Sequence, residues 1–371
     1  MTLHRTLAIA RKEILQLRRD PRSLALGFLI PPFLIVFFGY AITFDVDDIR
    51  LAVWDADRTQ TSSRLVDAFV ASGYFRVVER LERYPDVTRV LQSGDALAVL
   101  AIPRGFTRDL ASGGGAPLQL LVDGSDANTA TIAIEYAQGI GTAFSRRATL
   151  GGRQVRPALV PDIRAWYNPS LDSRNMVVPG LVAVIISILA ALLTALTLAR
   201  EWERGTMEQL VSTPVTRLEI VTGKLLPYLA IGLFDVLLAV GIGTLLFDVP
   251  FRGSLLLLLA MTSVFLLAAL GFGMLLSAAL KSQVLATQFA IVGTYLPALL
   301  LSGFIFSIAN MPRVLQLATY LFPARYYVTV TKAIFLKGVG IEVLWPQGLL
   351  LAALASIAIV ATVAIFRKEV A

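Results

Sequence analysis

The chain has 371 residues, of which 56% are hydrophobic and only 16% charged, whereas an ordinary soluble protein is about half apolar and about a quarter charged; this balance excludes a soluble enzyme and reads as a membrane protein. The net charge of +7 does not mark a nucleic-acid binder. Its cations crowd the N-terminus (Arg5, Arg11, Lys12, Arg18, Arg19, Arg22) and the edges of apolar runs (Arg200, Arg204, Arg217, Lys224, Lys281, Arg367, Lys368), which is the positive-inside pattern of a membrane protein.

Residues 1–22 predict an interfacial helix on the cytoplasmic leaflet, with Leu3, Leu7, Ala10, Ile14 and Leu17 on one face and Arg11, Lys12, Arg18 and Arg19 around the other. Residues 23–44 form the first span, a retained anchor rather than a cleaved signal, kinked where Pro31-Pro32 frees backbone carbonyls. Residues 45–175 are mixed and polar, with many Arg and Asp and no Lys, and predict a separate extracytoplasmic α/β or α+β domain. Its strands are expected at Ile49–Asp55, Tyr74–Val78, Asp95–Ile102 and Leu118–Val122, with helices near 60–72, 85–93 and 104–111, a long helix from Ala127 to Leu150 and a strand-like Val155–Tyr167. Gly113-Gly114-Gly115 reads as a flexible turn, because no Lys-Ser/Thr follows it.

Residues 176–371 carry five further apolar runs, Val177–Ala199, Leu225–Phe247, Ser254–Leu280, Val284–Phe306 and Leu344–Phe366, each long enough to cross a bilayer. The fold class expected is an α-helical polytopic membrane protein with six transmembrane helices. An even number of spans and the basic N-terminus put both termini in the cytoplasm and residues 45–175 outside. The segment 307–343 is too polar to span and is punctuated by Pro312 and Pro323, so it is expected to dip into the outer leaflet as short helices covered by protein.

Between spans two and three lies a charged island at residues 201–219. Gly205 breaks the preceding helix, Thr206 and Gln209 have the spacing of a capping box, and a short helix follows whose Met207, Leu210 and Val211 share one apolar stripe. It ends before Pro214, and a second box, Thr216 to Glu219, launches the next helix. Taken alone, this is either a well-capped loop or a docking element.

The chemistry is otherwise sparse. With no cysteine and one histidine, His4, there is no disulfide framework, no thiolate metal site and no metal-binding cluster. Gly223-Lys224 has Leu218 where a phosphate loop needs its first glycine, so this chain does not bind a nucleotide by that loop. Asp235 sits near the centre of the third span, either as a site for a cationic substrate or a proton, or as a structural carboxyl at a helix contact. Tyr295, Phe304 and Phe306 either line a hydrophobic path or belong to an interfacial aromatic belt. Paired glycines at 139/141, 241/243 and 271/273 predict close helix packing.

Three stretches together carry a resemblance: Trp166-Tyr167-Asn168-Pro169 leading into Val178-Pro179-Gly180-Leu181; Glu203-Arg204-Gly205-Thr206-Met207-Glu208-Gln209-Leu210 with Thr213-Pro214 and Gly223-Lys224; and Leu301-Ser302-Gly303-Phe304-Ile305-Phe306 followed by Met311-Pro312 and Pro323. In order and spacing the chain resembles the membrane subunits of type-2 ABC exporters, specifically bacterial permeases with a large extracytoplasmic insert after the first span. The resemblance implies a six-helix protomer in the inner membrane that works as a homodimer or with a similar permease. It also implies a separate ABC ATPase subunit that binds ATP and magnesium, contacted through Glu203, Arg204, Thr206, Met207, Glu208, Leu210, Val211 and Pro214. Membrane lipid and envelope adaptor proteins are the other expected partners, and the expected cargo is a hydrophobic or amphiphilic drug or lipid. The alternatives are a proton-coupled secondary transporter using Asp235, which should show two similar halves that this sequence lacks, or a membrane-anchored sensor or scaffold using the 45–175 domain.

Overall fold

A computed structural model describes residues 2–42, 48–112, 116–125, 127–149, 167–168 and 172–366, with side chains except at positions 22, 127–128, 146–149, 210 and 211. The chain divides into two compact units, one made of Met1–Thr43 with Arg164–Ala371 and the other of Phe44–Ile163.

The first unit begins with α1 (Leu3–Arg18) and α2 (Pro21–Leu24), a π-helical turn at Ala25–Leu29, and α3 (Ile30–Ala41). The expected kink is this π turn. Pro31 and Pro32 have no N–H to give and their rings crowd the carbonyls four residues back, so the ladder widens just upstream of them. The face that α1 buries is not the one its apolar residues outline: Thr6, Ile9, Ala10, Glu13 and Leu17 are buried, whereas Leu3, Leu7 and Ile14 are exposed.

The insert runs β1 (Ile49–Asp55), α4 (Gln60–Ala71), β2 (Phe75–Leu81), α5 (Asp86–Ser93), β3 (Ala98–Ile102), α6 (Phe106–Ser112), β4 (Gln119–Val122) and α7 (Ala127–Thr149). The sheet order is β2-β1-β3-β4, with β1 parallel to β2 and β3, and β4 antiparallel to β3. Ile49, Leu51 and Val53 of β1 pack with Leu65, Phe69, Phe106 and Ala133 on one face, and Ala52 and Val99 pack with Val87 and Val90 on the other. Helices therefore cover both faces, which is why β1 and β3 read as near-continuous apolar runs. The triple glycine and nearly all of the strand-like 155–167 segment lie outside the described residues. Among the described residues, a Cβ at Gly139 or Gly141 would meet nothing, so the close packing expected of them is not seen there.

The membrane unit resumes with α8 (Ser173–Glu203), α9 (Met207–Val211), α10 (Arg217–Leu245), α11 (Leu255–Leu280), α12 (Gln283–Leu300), α13 (Arg313–Ala318), α14 (Pro323–Lys332) and α15 (Ile341–Ile365). Five of these, α8, α10, α11, α12 and α15, are long and apolar enough to cross a membrane, and the remaining apolar helix, Ala25–Ala41, is shorter. Of the six spans expected, five have this length among the described residues, and the first, residues 23–44, coincides with the shorter apolar helix. Helix α8 is the hub, with 83% of its most apolar window buried, against 17% for α12 and 22% for α15. Gly273 lets α11 press on the Ala191 carbonyl, where a Cβ would overlap it, and the Thr194 hydroxyl donates across to the Leu270 carbonyl at 2.8 Å. Among the described residues, by contrast, a Cβ at Gly241 would meet nothing.

The apolar run expected to continue the fifth span to Phe306 stops at Leu300. Gly303 adopts φ +80°, the chain turns, and Phe304 folds onto Gly180, whose missing Cβ makes room for the ring. Residues 307–343 form short helices as expected, and α14 is the buried one. Tyr327 stacks on Phe265 with ring centroids 3.9 Å apart and shares a 2.7 Å hydrogen bond with Thr262.

Candidate functional site

The residues expected to carry contact with another chain sit in the connection between α8 and α10. Gly205, at φ +69°, reverses the chain after α8 at no steric cost, and α9 follows as a single short turn of helix. The Thr206–Gln209 capping box is not seen among the described residues: the Thr206 N–H, which the box would direct to Gln209, donates instead to the Glu201 carbonyl at 3.1 Å, and the Thr206 hydroxyl donates to the Glu201 carboxylate. The second box does form, with Glu219 N–H donating to Thr216 Oγ1 at 3.3 Å and Thr216 N–H donating to Glu219 Oε2 at 2.9 Å.

Helix α1 is bound to this connection along its length. The Thr2 N–H donates to Glu219 Oε1 at 2.6 Å, and the Arg5 guanidinium donates to the Pro214 carbonyl at 2.6 Å. Gly223 lets the two helices touch, since a Cβ there would come within 2.8 Å of the Ile9 Cβ and 2.9 Å of the Thr6 carbonyl. One turn further along lies a buried charge cluster. Lys224 Nζ reaches Glu13 Oε2 at 2.8 Å and Glu201 Oε1 at 3.3 Å, Lys12 Nζ reaches the same Glu201 oxygen at 2.9 Å, and the Tyr228 hydroxyl donates to Glu13 Oε1 at 2.8 Å. Lys224, Glu13 and Glu201 are 1%, 4% and 3% exposed. Two carboxylates and two ammonium groups cancel in charge, and every carboxylate oxygen has a donor, which is what makes ionic burial tolerable. A second link, Arg200 to Asp20 at 2.9 Å, ties α8 to the residue just before α2. Glu203 accepts from the Gln283 N–H at 2.7 Å, and Lys281 lies 4.4 Å from the Trp202 ring centroid, so the turn between α11 and α12 is joined to the end of α8 as well.

The expected contact residues divide. Met207 is 2% exposed, so its thioether roots α9 in its own protomer instead of standing free as an anchor. Arg204, Glu208 and Pro214 are exposed, and Glu203 is exposed although held by Gln283; the side chains of Leu210 and Val211 lie outside those described. Glu13, Glu201, Lys224 and Tyr228 escaped the sequence reading as a site. The available signal was an acid, Glu13, inside an otherwise basic helix, together with a lysine and a tyrosine four residues apart at the start of an apolar run.

The intramembrane residues do not assemble into one site. Asp235 is 3% exposed on α10 and its Oδ1 has no hydrogen-bond partner among the described residues. Tyr295 is exposed on α12, Phe304 is core, and Phe306 is 55% exposed. Among the described residues no group of three or more acidic or histidine side chains is placed to hold a metal ion.

A family model described as "ABC-2 family transporter protein" matches residues 21–366. The chain is similar to the "Probable multidrug ABC transporter permease YbhS" of Escherichia coli strain K12, with 36% identity over 340 residues covering 91% of this chain and 90% of that protein. It is similar to the "Probable multidrug ABC transporter permease YbhR" of the same strain, with 33% identity over 370 residues and 99% of both chains covered. It also matches "ABC transporter G family member 20" of Dictyostelium discoideum at 22% identity, covering 91% of this chain and 47% of that protein.

Proposed function

The chain belongs to the ABC-2 family of transporter proteins, and on that premise we propose that it is the permease subunit of an ATP-driven exporter in the inner membrane. In this reading the helical run 21–41, about 30 Å long at 1.5 Å per residue, is a sixth span, both termini are cytoplasmic and the Phe44–Ile163 unit is extracytoplasmic. ATP and magnesium bind a separate ATPase chain, since this sequence has no phosphate loop, and two permeases, identical or similar, make up the transporter. The names of the relatives support a multidrug cargo, here taken as a hydrophobic or amphiphilic compound.

One observation carries the coupling: the charge cluster that makes α1, the end of α8 and the start of α10 a single body beside the exposed Arg204 and Glu208. A force on a flexible loop would be lost in bending it. A force applied beside a buried ionic lock moves two spans and α1 together, so closure of the ATPase becomes a displacement of the membrane helices. The charges at Arg204 and Glu208 set the register of the contact, as rim charges do.

Reversing both charges, Arg204→Glu with Glu208→Arg, tests this. The doubly substituted permease is expected to insert and unfold on heating like the parent, while co-purification with the ATPase and export each fall at least tenfold, roughly the loss of a few kcal/mol of contact energy. Undiminished co-purification and export would overturn the assignment of this surface.

A further inference from the structure

Beneath the turn at residues 321–324 the membrane unit holds a cavity of about 370 Å³, within the size range of small-molecule sites. Its floor is cut from small side chains, Ser187 of α8, Ala268 of α11, Ala298 of α12 and Ala358 of α15, all of them buried. Its rim carries Leu321 and Ile357, which are 70% and 65% exposed. Ser187, Ala268, Gly293 and Leu354 each lie near the middle of their own helix. A bilayer crossed by these four helices therefore has the cavity at half depth.

No charged residue lines it among those described. Its two hydroxyls are already committed: Ser187 Oγ donates to the Ala183 carbonyl at 2.8 Å and Thr294 Oγ1 to the Ala290 carbonyl at 2.6 Å. Water needs two to four polar partners to stay in such a place, and with both hydroxyl hydrogens engaged these side chains offer it only acceptor lone pairs, while walls with nothing against them forfeit their dispersion contacts. The helix surfaces outside the cavity are apolar too, with Val292 59% and Val360 67% exposed, so the medium at the mouth is hydrocarbon. None of Asp235, Tyr295, Phe304 and Phe306 belongs to the lining.

We propose that this cavity binds an uncharged hydrocarbon chain, supplied either by an acyl chain of the surrounding lipid or by the apolar part of a transported compound. The proposal rests on the membrane placement of the unit and not on ATP coupling, and its test uses neither nucleotide nor partner. The full-length chain is reconstituted in phosphatidylcholine vesicles containing a trace of phosphatidylcholine with a diazirine midway along one acyl chain, irradiated, and its adducts located by peptide mass spectrometry. Adducts are expected on Phe272 and Thr294, which line the cavity, as well as on the outward Val292 and Val360. Ala298→Phe, which fills the space, should reduce the inward adducts several-fold and leave the outward ones unchanged. Should Ala298→Phe disturb the outward pattern, Ala268→Leu fills the same space from another helix. A second arm replaces the lipid probe with an uncharged aryl diazirine. Inward labelling by the lipid probe assigns the occupant to the bilayer, and inward labelling by the aryl probe alone assigns it to a free apolar compound. Labelling of Val292 and Val360 alone by both probes, or inward labelling that survives the filling substitutions, would overturn the proposal.

Discussion

Lys224 is the residue on which the charge cluster turns, because it faces Glu13 and Glu201 at once. Lys224→Met leaves Glu13 buried without its cation and Glu201 with Lys12 alone, a loss of about 3–5 kcal/mol for a broken buried pair, and should lower the unfolding temperature sharply. Glu13→Gln in the same background should restore part of that loss. The two substitutions are therefore expected to be strongly non-additive in a double-mutant cycle, and strict additivity would mean that the two side chains do not interact. A different carboxylate governs the insert. Slight burial pushes the Asp57 carboxyl up, but hydrogen bonds from the Thr107 and Thr59 hydroxyls and from the Thr107 and Gly105 amides outweigh it and hold its pKa below the usual 3.8. A depressed folded-state pKa gives stability that is present above the ordinary value and lost as the pH falls through the folded one. Asp57→Asn should therefore weaken protection of the β3 amides at neutral pH, and the difference from the parent should shrink below pH 3.8. A difference that is independent of pH would count against this account.

At the scale of elements, the insert was readable because each of its helices and strands has a local signal. The strands β1 and β3 are near-continuous apolar runs between turn residues, broken inside β1 only by Arg50, and the helices between them carry one apolar stripe each. The faces of α1 were not readable in the same way. A count of apolar residues assigns the face of Leu3, Leu7 and Ile14 to the membrane surface and says nothing of a second, protein-facing side, where the helix buries Glu13 and Thr6, whose value lies in partners more than two hundred positions away. The end of α12 failed for another reason: Leu301 to Phe306 is as apolar as a span, and only the left-handed Gly303 turns it back. The packing of α1 on α10 depends on the bare Cα of Gly223. Gly223→Val should force the helices apart, exposing α1 to trypsin at Arg11 and Arg18 while the five long helices stay in the membrane; a protected α1 in that variant would show that the contact is dispensable.

For the whole molecule, the permease assignment follows from family membership, and the coupling reading follows from rigidity at one end of α8 and α10. If α1 is part of the moving body, removing residues 1–20 should leave the remaining permease in the membrane with the ATPase bound, while ATP hydrolysis no longer drives export. Parallel assays of hydrolysis and export on reconstituted vesicles would separate uncoupling from loss of assembly, and full export by the truncated protein would exclude α1 from transmission.

The ionic bond between Glu13 and Lys224 also sets a timetable for biosynthesis. Its partners are 211 residues apart, so at roughly 5–20 residues per second the ribosome delivers Lys224 on the order of ten to forty seconds after Glu13. Until then Glu13 lacks the ammonium it is buried against, and α1 must wait as an incompletely docked amphipathic segment while the insert is made. Chains arrested short of residue 224 should keep Arg11 open to trypsin, and completed chains should close it, which places docking of the first helix after synthesis of the whole insert.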